Sequence, residues 1–226
     1  MMNFHIKKSR IGIVVPSCDK YSDLWPYFFN NFYKYWYNCP LDIYLISNEK
    51  NYSYNNLINI NIGKDISWSD NLKKGLARVK NQYIFLIMDD LILNKNISNT
   101  FFDKIFKWVT SNNPNCLRLH ISNKPNYYDS LVGKLPLKSP YKNSLMPSIW
   151  NKNFLYNSLK ENESAWDFEI EGTKRALKSE GFFSLYKSFI HYDNSVIKGK
   201  WQRPLIKKLN IKNSSRPKMN LKEQFL

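Results

Sequence analysis

The sequence has 226 residues, which suffices for one large domain or for one domain with an appendage. Hydrophobic residues make up 43% of the chain, and this fraction excludes a disordered protein. Lys and Arg total 34 against 18 Asp and Glu, so the formal net charge is +16. Such a charge favours nucleic acid, anionic lipid or phosphorylated ligands as partners and does not choose among them. The seven glycines form no glycine-rich phosphate loop.

The cysteines and the N-terminal residues bear on the compartment. Cys18, Cys39 and Cys116 are far apart, form no CxxC pair and cannot all pair with one another, which favours a reducing compartment. Residues 1–10 are polar and basic, and the apolar run after them is too short for a signal peptide. No run is long enough to span a bilayer. We therefore expect a cytoplasmic protein, with peripheral contact to the inner face of the cell membrane as an open alternative.

The first ninety residues alternate between strand and helix patterns. A helix is expected to begin after Ser22 or Asp23, and a second one after Ser67 or Ser69, because these side chains can cap a helix. Strands are predicted at 11–15, 41–46 and 83–88, a short one at 58–62, and helices at 24–36 and 70–79. Strand, helix, strand is the unit that builds parallel sheets, so an α/β domain is predicted.

The second half continues with a less regular pattern. A helix is predicted at 97–110 and a half-exposed strand at 116–121, where apolar and polar residues alternate. Residues 127–140 indicate a long loop or a hairpin of the kind that often serves as a lid. A further helix is predicted at 165–179, followed by a strand-like run at 182–190.

Two adjacent carboxylates, Asp89 and Asp90, follow the most apolar predicted strand. In an open α/β sheet, ligands bind beyond the carboxyl ends of the strands. The pair is therefore placed to hold a divalent cation and, with it, a phosphate. The structural alternative is that the two acids only end the strand and cap the next element.

Six segments of the chain carry a resemblance to a known family: IGIVVPS at 11–17, WSDNL at 68–72, LIMDD at 86–90, SIWNK at 148–152, ESAWDFE at 163–169 and the stretch 191–201. Together they resemble the GT-A glycosyltransferases of the broad family 2 type, in particular the small bacterial enzymes that build capsule or lipopolysaccharide. The resemblance spans most of residues 10–202. It departs from the family at the acidic motif, which is commonly Asp-X-Asp and here is Asp89-Asp90-Leu91, so the division of metal and ribose contacts between the two acids stays open.

The resemblance implies a Rossmann-type mixed sheet flanked by helices, forming a single domain with a basic C-terminal extension. Residues 1–202 would be the transferase domain, with a nucleotide-sugar half at 1–121 and an acceptor half at 122–202. It also implies transfer from a nucleotide sugar to a glycan or lipid-linked glycan, inverting, with Mn²⁺ or Mg²⁺. The donor contacts would come from Pro16, Ser17, Asp19, Ser69, Asp70, Asp89, Lys198 and Lys200, and the metal ligands would be Asp90 and His191.

Some of these residues have structural explanations as well. His191 follows a strand-like run, where it could be a metal ligand, a phosphate donor, or a half-buried histidine bonded to the backbone. Lys198 and Lys200 flank Gly199 and could neutralise a diphosphate or belong to a solvated basic loop.

An inverting transfer needs a carboxylate to accept the proton of the attacking hydroxyl. Acids cluster at the predicted start of a helix, where Ser164 can cap it and where acids also complement the helix dipole. The resemblance favours Asp167 or Glu169 as the base. Trp150 and Trp166 are predicted on the acceptor side, because polar residues flank both indoles, although most tryptophans serve packing.

Residues 203–226 change character and form a basic tail. The tail is expected either to contact an anionic membrane through a short amphipathic helix or to be a solubilising extension.

Two functions of other classes stay open. A nucleotidyltransferase that makes sugar nucleotides would usually have a glycine-rich loop after the first strand, which residues 16–19 lack. A non-catalytic nucleic-acid-binding protein would suit the charge, but no recognition motif is present, so no specific nucleic-acid partner is expected.

Overall fold

The apolar run near the N terminus forms an interior strand of the main sheet, third from one edge. The computed structural model describes residues 10–121, 125–212 and 214–220. Strand β1 (Ile11–Pro16) is buried along its whole length and pairs in parallel with β2 (Ile43–Ser47) on one side and β4 (Tyr83–Leu86) on the other. The carboxyl ends of these strands therefore meet at one edge of the sheet, which is the edge where the two acids follow β4.

Nine of the described strands form one mixed sheet in the order β3-β2-β1-β4-β9-β6-β10-β8-β7. The sheet changes direction at β9, which runs antiparallel to both β4 and β6. The remaining strands of this sheet are β3 (Leu57–Asn61), β6 (Cys116–Arg118), β7 (Asn126–Tyr127), β8 (Val132–Lys134), β9 (Ser148–Asn151) and β10 (Phe182–Leu185).

Helices cover both faces of the sheet and make a three-layer α/β/α domain. Side chains of β1 alternate between two cores: Ile11, Ile13 and Val15 belong to one, and Val14 belongs to the other. The first core contains α1 (Trp25–Tyr35) and α3 (Asn99–Asn112), and the second contains α2 (Trp68–Leu76), α4 (Lys152–Ser158) and α5 (Ala165–Ala176).

Several predicted elements have different bounds or surroundings. The predicted strand 83–88 ends at Leu86, and a short strand that was not predicted, β5 (Leu91–Leu93), follows the acids and pairs with β11 (Tyr192–Asn194). The strand predicted to be half-exposed, β6, is buried throughout, because both faces of the sheet are covered there: Cys116 belongs to one core and Leu117 to the other.

One of the two helix caps predicted in the first ninety residues is present in the structure, and so is the predicted hairpin. Ser67 caps α2 by accepting the backbone N–H of Asp70, but no side chain caps α1, so the Ser22 or Asp23 cap was wrong. For residues 127–140 a long loop or a hairpin was expected, and the structure has a hairpin at 126–134. Its strands β7 and β8 pair at the edge of the sheet.

The described part of the predicted tail lies on the domain. Helix α6 (Arg203–Lys208) buries Leu205, and Ile206 contacts a small core of Leu24, Val196 and Trp201, so the apolar side of this helix faces the protein. Asn213 and residues 221–226 of the predicted tail lie outside the described residues. Among the helices that the structure describes, none is long and apolar enough to cross a membrane.

The second core offers a test of the fold. Leu76 on α2 is fully buried, whereas Leu177, just after α5, is 38% exposed. We expect Leu76→Ala to lower the free energy of unfolding by about 2–5 kcal/mol, because it removes buried methyl groups and leaves a cavity. Leu177→Ala should stay within about 0.5 kcal/mol of the wild type. Urea denaturation measures both, and equal losses would contradict this burial pattern.

Candidate active site

The two acids lie where β4 ends, and the surrounding strands fix their backbone. Ile87 N–H donates to the Val14 carbonyl, so the chain leaves the sheet beside β1. The Asp90 carbonyl accepts from both the N–H and the hydroxyl of Ser195, each at 2.8 Å. Asp89 is only 3% exposed, although a carboxylate is rarely buried without a partner.

The Asp89 carboxylate has one described hydrogen-bond donor, the hydroxyl of Ser17. The indole N–H of Trp25 donates to the same hydroxyl oxygen at 2.8 Å, which orients the Ser17 proton toward Asp89. Helix α1 is therefore linked to Asp89 by two hydrogen bonds, from Trp25 to Ser17 and from Ser17 to Asp89.

Burial raises the pKa of both acids. The pKa of Asp89 rises to about 8, first because the carboxyl is buried and then because Asp90 lies beside it, while Ser17 and Arg216 act in the opposite direction. Burial also raises the pKa of Asp90 to about 6. These shifts mean that the pair carries negative charge at a cost, which a bound cation would offset.

The donor set suits Mg²⁺ or Mn²⁺ bound together with a phosphate. Such an ion prefers oxygen ligands, and Mg²⁺ commonly uses only one or two carboxylates and takes its other ligands from water and substrate phosphates. Within residues 10–121, 125–212 and 214–220, no group of three or more His, Cys, Asp or Glu side chains is arranged to hold a metal. Asp89 and Asp90 supply two adjacent carboxylates, which is as many as Mg²⁺ commonly takes from a protein.

A cavity of about 360 Å³ opens in front of the acid pair, which is within the usual range for small-ligand sites. Its wall combines the end of β1, one side of α2 and the start of α5. The lining residues are Pro16, Ser17, Cys18, Tyr21, Ile46, Asp65, Trp68, Asn71, Leu72, Met88, Asp89, Asp90 and Ala165. Four of these were predicted as site residues: Pro16, Ser17, Asp89 and Asp90.

Helix α2 contributes residues that the sequence analysis missed. Trp68, Asn71 and Leu72 line the cavity, and their i, i+3, i+4 spacing puts them on one helix face. The Asn71 amide donates to Asp65 at 2.6 Å and accepts the Ile66 N–H, so it is held rigidly. The helical spacing indicates that these three residues share a face but not that this face lines the cavity, and the prediction chose Ser69 and Asp70 from the same segment.

Three predicted donor residues have structural partners and are absent from the cavity wall. The Asp19 carboxylate accepts the backbone N–H groups of residues 48–50 and so ties the loop after β1 to the loop after β2. Ser69 is buried and donates to the Lys160 carbonyl, and Asp70 accepts from Ser67 and from the N–H of Asn162. These hydrogen bonds give all three side chains a structural part in the scaffold, and their predicted contacts with the donor stay predictions.

The two predicted bases differ in their surroundings. Asp167 is exposed and closes a capping box with Ser164 at the start of α5, and these hydrogen bonds lower its pKa. Glu169 accepts the Leu145 N–H at 2.8 Å and the Ser144 hydroxyl at 3.3 Å. The pKa of Tyr192 is raised first by burial and then by the charges of Asp90 and Glu169.

The two tryptophans predicted on the acceptor side also differ in their surroundings. Trp150 is fully buried and packs against Phe154, Phe168 and Phe182, so its ring offers no face to a sugar and the prediction is corrected. Trp166 is 60% exposed, and its ring lies 6.3 Å from that of Tyr141, which is 49% exposed.

The predicted basic segment is a β-hairpin. Lys198 and Gly199 have positive φ angles and form the two-residue turn between β12 (Val196–Ile197) and β13 (Lys200–Trp201). Ser195, just before β12, bonds the Asp90 carbonyl, so the base of the hairpin lies against the acid pair.

His191 is half-buried, and its backbone carbonyl accepts the N–H of Asn94. Burial first, and then the charges of Lys95 and His120, lower the pKa of its ring. The structure therefore puts His191 among basic groups, and its predicted part as a metal ligand stays a prediction.

No protein-family model matches the sequence, and no curated protein matches it. Solved structures do match. Residues 1–349 of S. aureus TarS align with a TM-score of 0.57 and 12% identity over 82% of this chain and 60% of that one. TarS 1–349 in complex with UDP-GlcNAc aligns at 0.53 with 13% identity, covering 81% and 57%.

A UDP-glucose pyrophosphorylase complexed with UDP-glucose also aligns, with a TM-score of 0.50 and 8% identity over 82% of this chain and 92% of that one. The chain therefore spans about 60% of the TarS fragment and nearly all of the pyrophosphorylase. At these identities the comparisons show the fold alone, which is GT-A-like: a large mixed sheet flanked by helices in a single domain. The predicted fold class is confirmed.

The buried acid makes stability depend on pH in a defined direction. The pKa of Asp89 in the folded protein, about 8, exceeds its ordinary value of 3.8. The contribution of the Asp89 carboxyl to the free energy of unfolding is thus fully present below its pKa in the unfolded chain. This contribution is lost as the pH rises through its pKa in the folded protein. In metal-free buffer we expect Asp89→Asn to gain stability relative to wild type between pH 5 and pH 8.

Thermal melts across this pH range measure the difference between the two proteins. Glu161→Gln, which removes an exposed carboxylate, is the matched control and should follow the wild type. A constant offset between Asp89→Asn and wild type would contradict the raised pKa.

Proposed function

We propose that this protein is a glycosyltransferase that moves a sugar from a nucleotide-sugar donor to a glycan or lipid-linked glycan. The observation that carries the proposal is the acid pair, with Asp89 buried and Asp90 half-buried, that lines a cavity of about 360 Å³ at the carboxyl edge of a GT-A-like sheet. Crystals of the structural neighbours contain UDP or UDP-GlcNAc, which supports a nucleotide sugar as the donor class.

The cavity wall suits the two chemical halves of such a donor. Trp68, Leu72 and Ile46 supply apolar and aromatic surface for a nucleobase, and the fixed Asp65–Asn71 pair supplies polar groups for its edge or for the ribose. Asp89 and Asp90 suit the diphosphate end when a divalent cation lies between the negative charges. The cation would be held by one or both acids and would supply charge neutralisation to the departing diphosphate.

The Lys198–Lys200 hairpin is the proposed source of additional positive charge for the diphosphate. The base of this hairpin is bonded to Asp90, and the hairpin carries both lysines near its turn. Cations near a departing diphosphate stabilise the negative charge that develops on it.

Glu169 is the better candidate for the base. The carboxylate accepts the acceptor's hydroxyl proton while the hydroxyl oxygen bonds to the anomeric carbon and the bond to the diphosphate breaks. Attack opposite the leaving group inverts the configuration. Asp167 suits this role less well, because it is exposed, caps its own helix and has a lowered pKa.

The exposed pair of Trp166 and Tyr141 is the proposed acceptor platform. Aromatic faces pack on the apolar faces of sugars. Trp166 follows Ala165, which lines the cavity, so an acceptor on this pair would lie beside the donor.

Nucleotidyl transfer is the second candidate, because the chain spans 92% of a UDP-glucose pyrophosphorylase. The absence of glycine in residues 16–19 counts against it. The two reactions differ in substrates, so each can be assayed alone: release of UDP from a UDP-sugar, or of pyrophosphate from UTP and a sugar 1-phosphate. Pyrophosphate release without UDP release would replace the first proposal with the second.

Donor binding is tested by thermal shift with nucleoside diphosphates and nucleotide sugars, each with and without Mn²⁺. A ligand at a hundred times its Kd adds about 2.7 kcal/mol of stability. We expect one nucleotide to raise the Tm, Mn²⁺ to increase the effect, and Asp90→Asn to abolish the increase. Glu161→Gln is the control and should respond like the wild type. A wild type that responds to no nucleotide would contradict the proposal.

The assignment of the base is tested with Glu169→Gln and Asp167→Asn. For Glu169→Gln we expect turnover of the donor identified by thermal shift to fall about 10²–10⁴-fold with nucleotide binding retained, because general-base catalysis contributes about that much. Asp167→Asn should cost about 1 kcal/mol of stability through its cap and leave turnover within a few fold. The reverse pattern would assign the base to Asp167.

A further inference from the structure

A C-terminal segment crosses the basic hairpin and is called the strap, residues 214–219. Trp201 N–H donates to the Pro217 carbonyl at 2.9 Å, and Met219 N–H donates back to the Trp201 carbonyl at 3.0 Å. The Trp201 indole donates to the Ser214 hydroxyl at 2.8 Å. The strap therefore runs alongside β13 and is bonded to it at both ends.

Arg216 joins the strap to the loop after β1. Its guanidinium makes two parallel hydrogen bonds to Asp23, at 2.9 and 2.6 Å, and the Arg216 side chain is only 9% exposed. It also donates to the carbonyls of Lys20 at 3.1 Å and of Gly199 at 3.4 Å. Two-bond pairs between arginine and a carboxylate are among the stronger and more directional contacts in proteins. One side chain thus fixes the hairpin turn to residues 20–23.

The same guanidinium lies over the ring of Tyr21, with its central carbon 4.3 Å from the ring centroid. Tyr21 lines the cavity, as does Cys18, which precedes the short 3₁₀ turn Asp19–Tyr21. The strap therefore contacts the cavity wall through one residue of that wall.

The hairpin is held at its other end by the acid pair. Ser195 bonds the Asp90 carbonyl, and Gln202 N–H closes the hairpin base by donating to the Ser195 carbonyl at 3.0 Å. Between these two attachments lie Lys198 and Lys200. Their placement relative to the acids thus depends on Ser195 at the base and on Arg216 at the turn.

We propose that Arg216 is a positioning residue of the donor site: it holds Tyr21 and the lysine hairpin in the places where a nucleoside diphosphate contacts them. The proposal rests on the proposed function and deepens it, because it makes the C-terminal strap a part of the donor site. Arg216 acts through the groups that it holds, and Asp23 balances its charge.

The structural part of the proposal is tested in the full chain without ligand. For Arg216→Ala we expect amide hydrogen exchange in residues 18–24 and 196–202 to rise at least tenfold, and the Cys18 thiol to react faster with an alkylating reagent. Arg175→Ala is the matched control, because Arg175 makes a similar two-bond pair with Glu163 away from the hairpin. Unchanged exchange and thiol reactivity in Arg216→Ala would overturn the proposal.

The binding part is tested by titrating UDP and uridine in the presence of MnCl₂. We expect Arg216→Ala and Asp23→Asn each to weaken UDP binding at least tenfold and uridine binding less than threefold, since the hairpin serves the diphosphate. Asp23→Asn keeps the arginine charge and loses the pair, so equal losses in both variants identify positioning. Tighter UDP binding in Asp23→Asn would identify a direct charge contact and overturn the proposal.

Failure of the proposed function gives a different result. If the wild type binds neither UDP nor uridine, the nucleotide-sugar proposal fails. The hydrogen-exchange and thiol measurements alone then decide whether Arg216 holds Tyr21 and the hairpin in place. If exchange rises in Arg216→Ala while UDP affinity stays within twofold of the wild type, the strap is structural and Arg216 is not a positioning residue of the site.

Discussion

The constraint on which the site depends is the burial of the Asp89 carboxylate at the end of β4, with the half-buried Asp90 beside it. Asp89 is 3% exposed, and its pKa of about 8 shows how unfavourable its charge is there. The described contacts compensate only in part: Ser17 donates to Asp89, Ser195 holds the Asp90 backbone, and Arg216 acts from the strap. A divalent cation with a diphosphate would supply the remaining charge balance, which is the physical reason for proposing nucleotide-sugar chemistry.

Distant parts of the chain meet around this pair. Trp25 on the first helix orients Ser17, the face of α2 that carries Asn71 forms one wall, and the strap fixes Tyr21 on another. Each contact uses a side chain already held by a second partner. Sites with such second contacts hold their geometry before a ligand arrives, which reduces the ordering that binding requires. The arrangement therefore suits recognition of a large polar donor better than a surface cluster of charges would.

Several predictions made from the residues were correct because their signals are local. The apolar runs identified β1, β2 and β4, and the position of Asp89 and Asp90 after β4 follows from sequence order alone. Ser67 and Ser164 cap helices as their positions indicated. The local pattern failed where a residue type fits two surroundings: Trp150 has polar neighbours in sequence and lies in the core.

The sequence by itself determined the α/β alternation and put the acids at the carboxyl edge of the sheet, because strand and helix periodicity extend over a few neighbouring residues. Only the tertiary structure decided which face of α2 lines the cavity, that β6 is buried, and that Arg216 bonds Asp23 across 193 positions of chain. A contact at that separation depends on how the strands are ordered in the sheet and on where the chain returns. No local pattern near Arg216 distinguishes it from the other cations of a strongly basic chain.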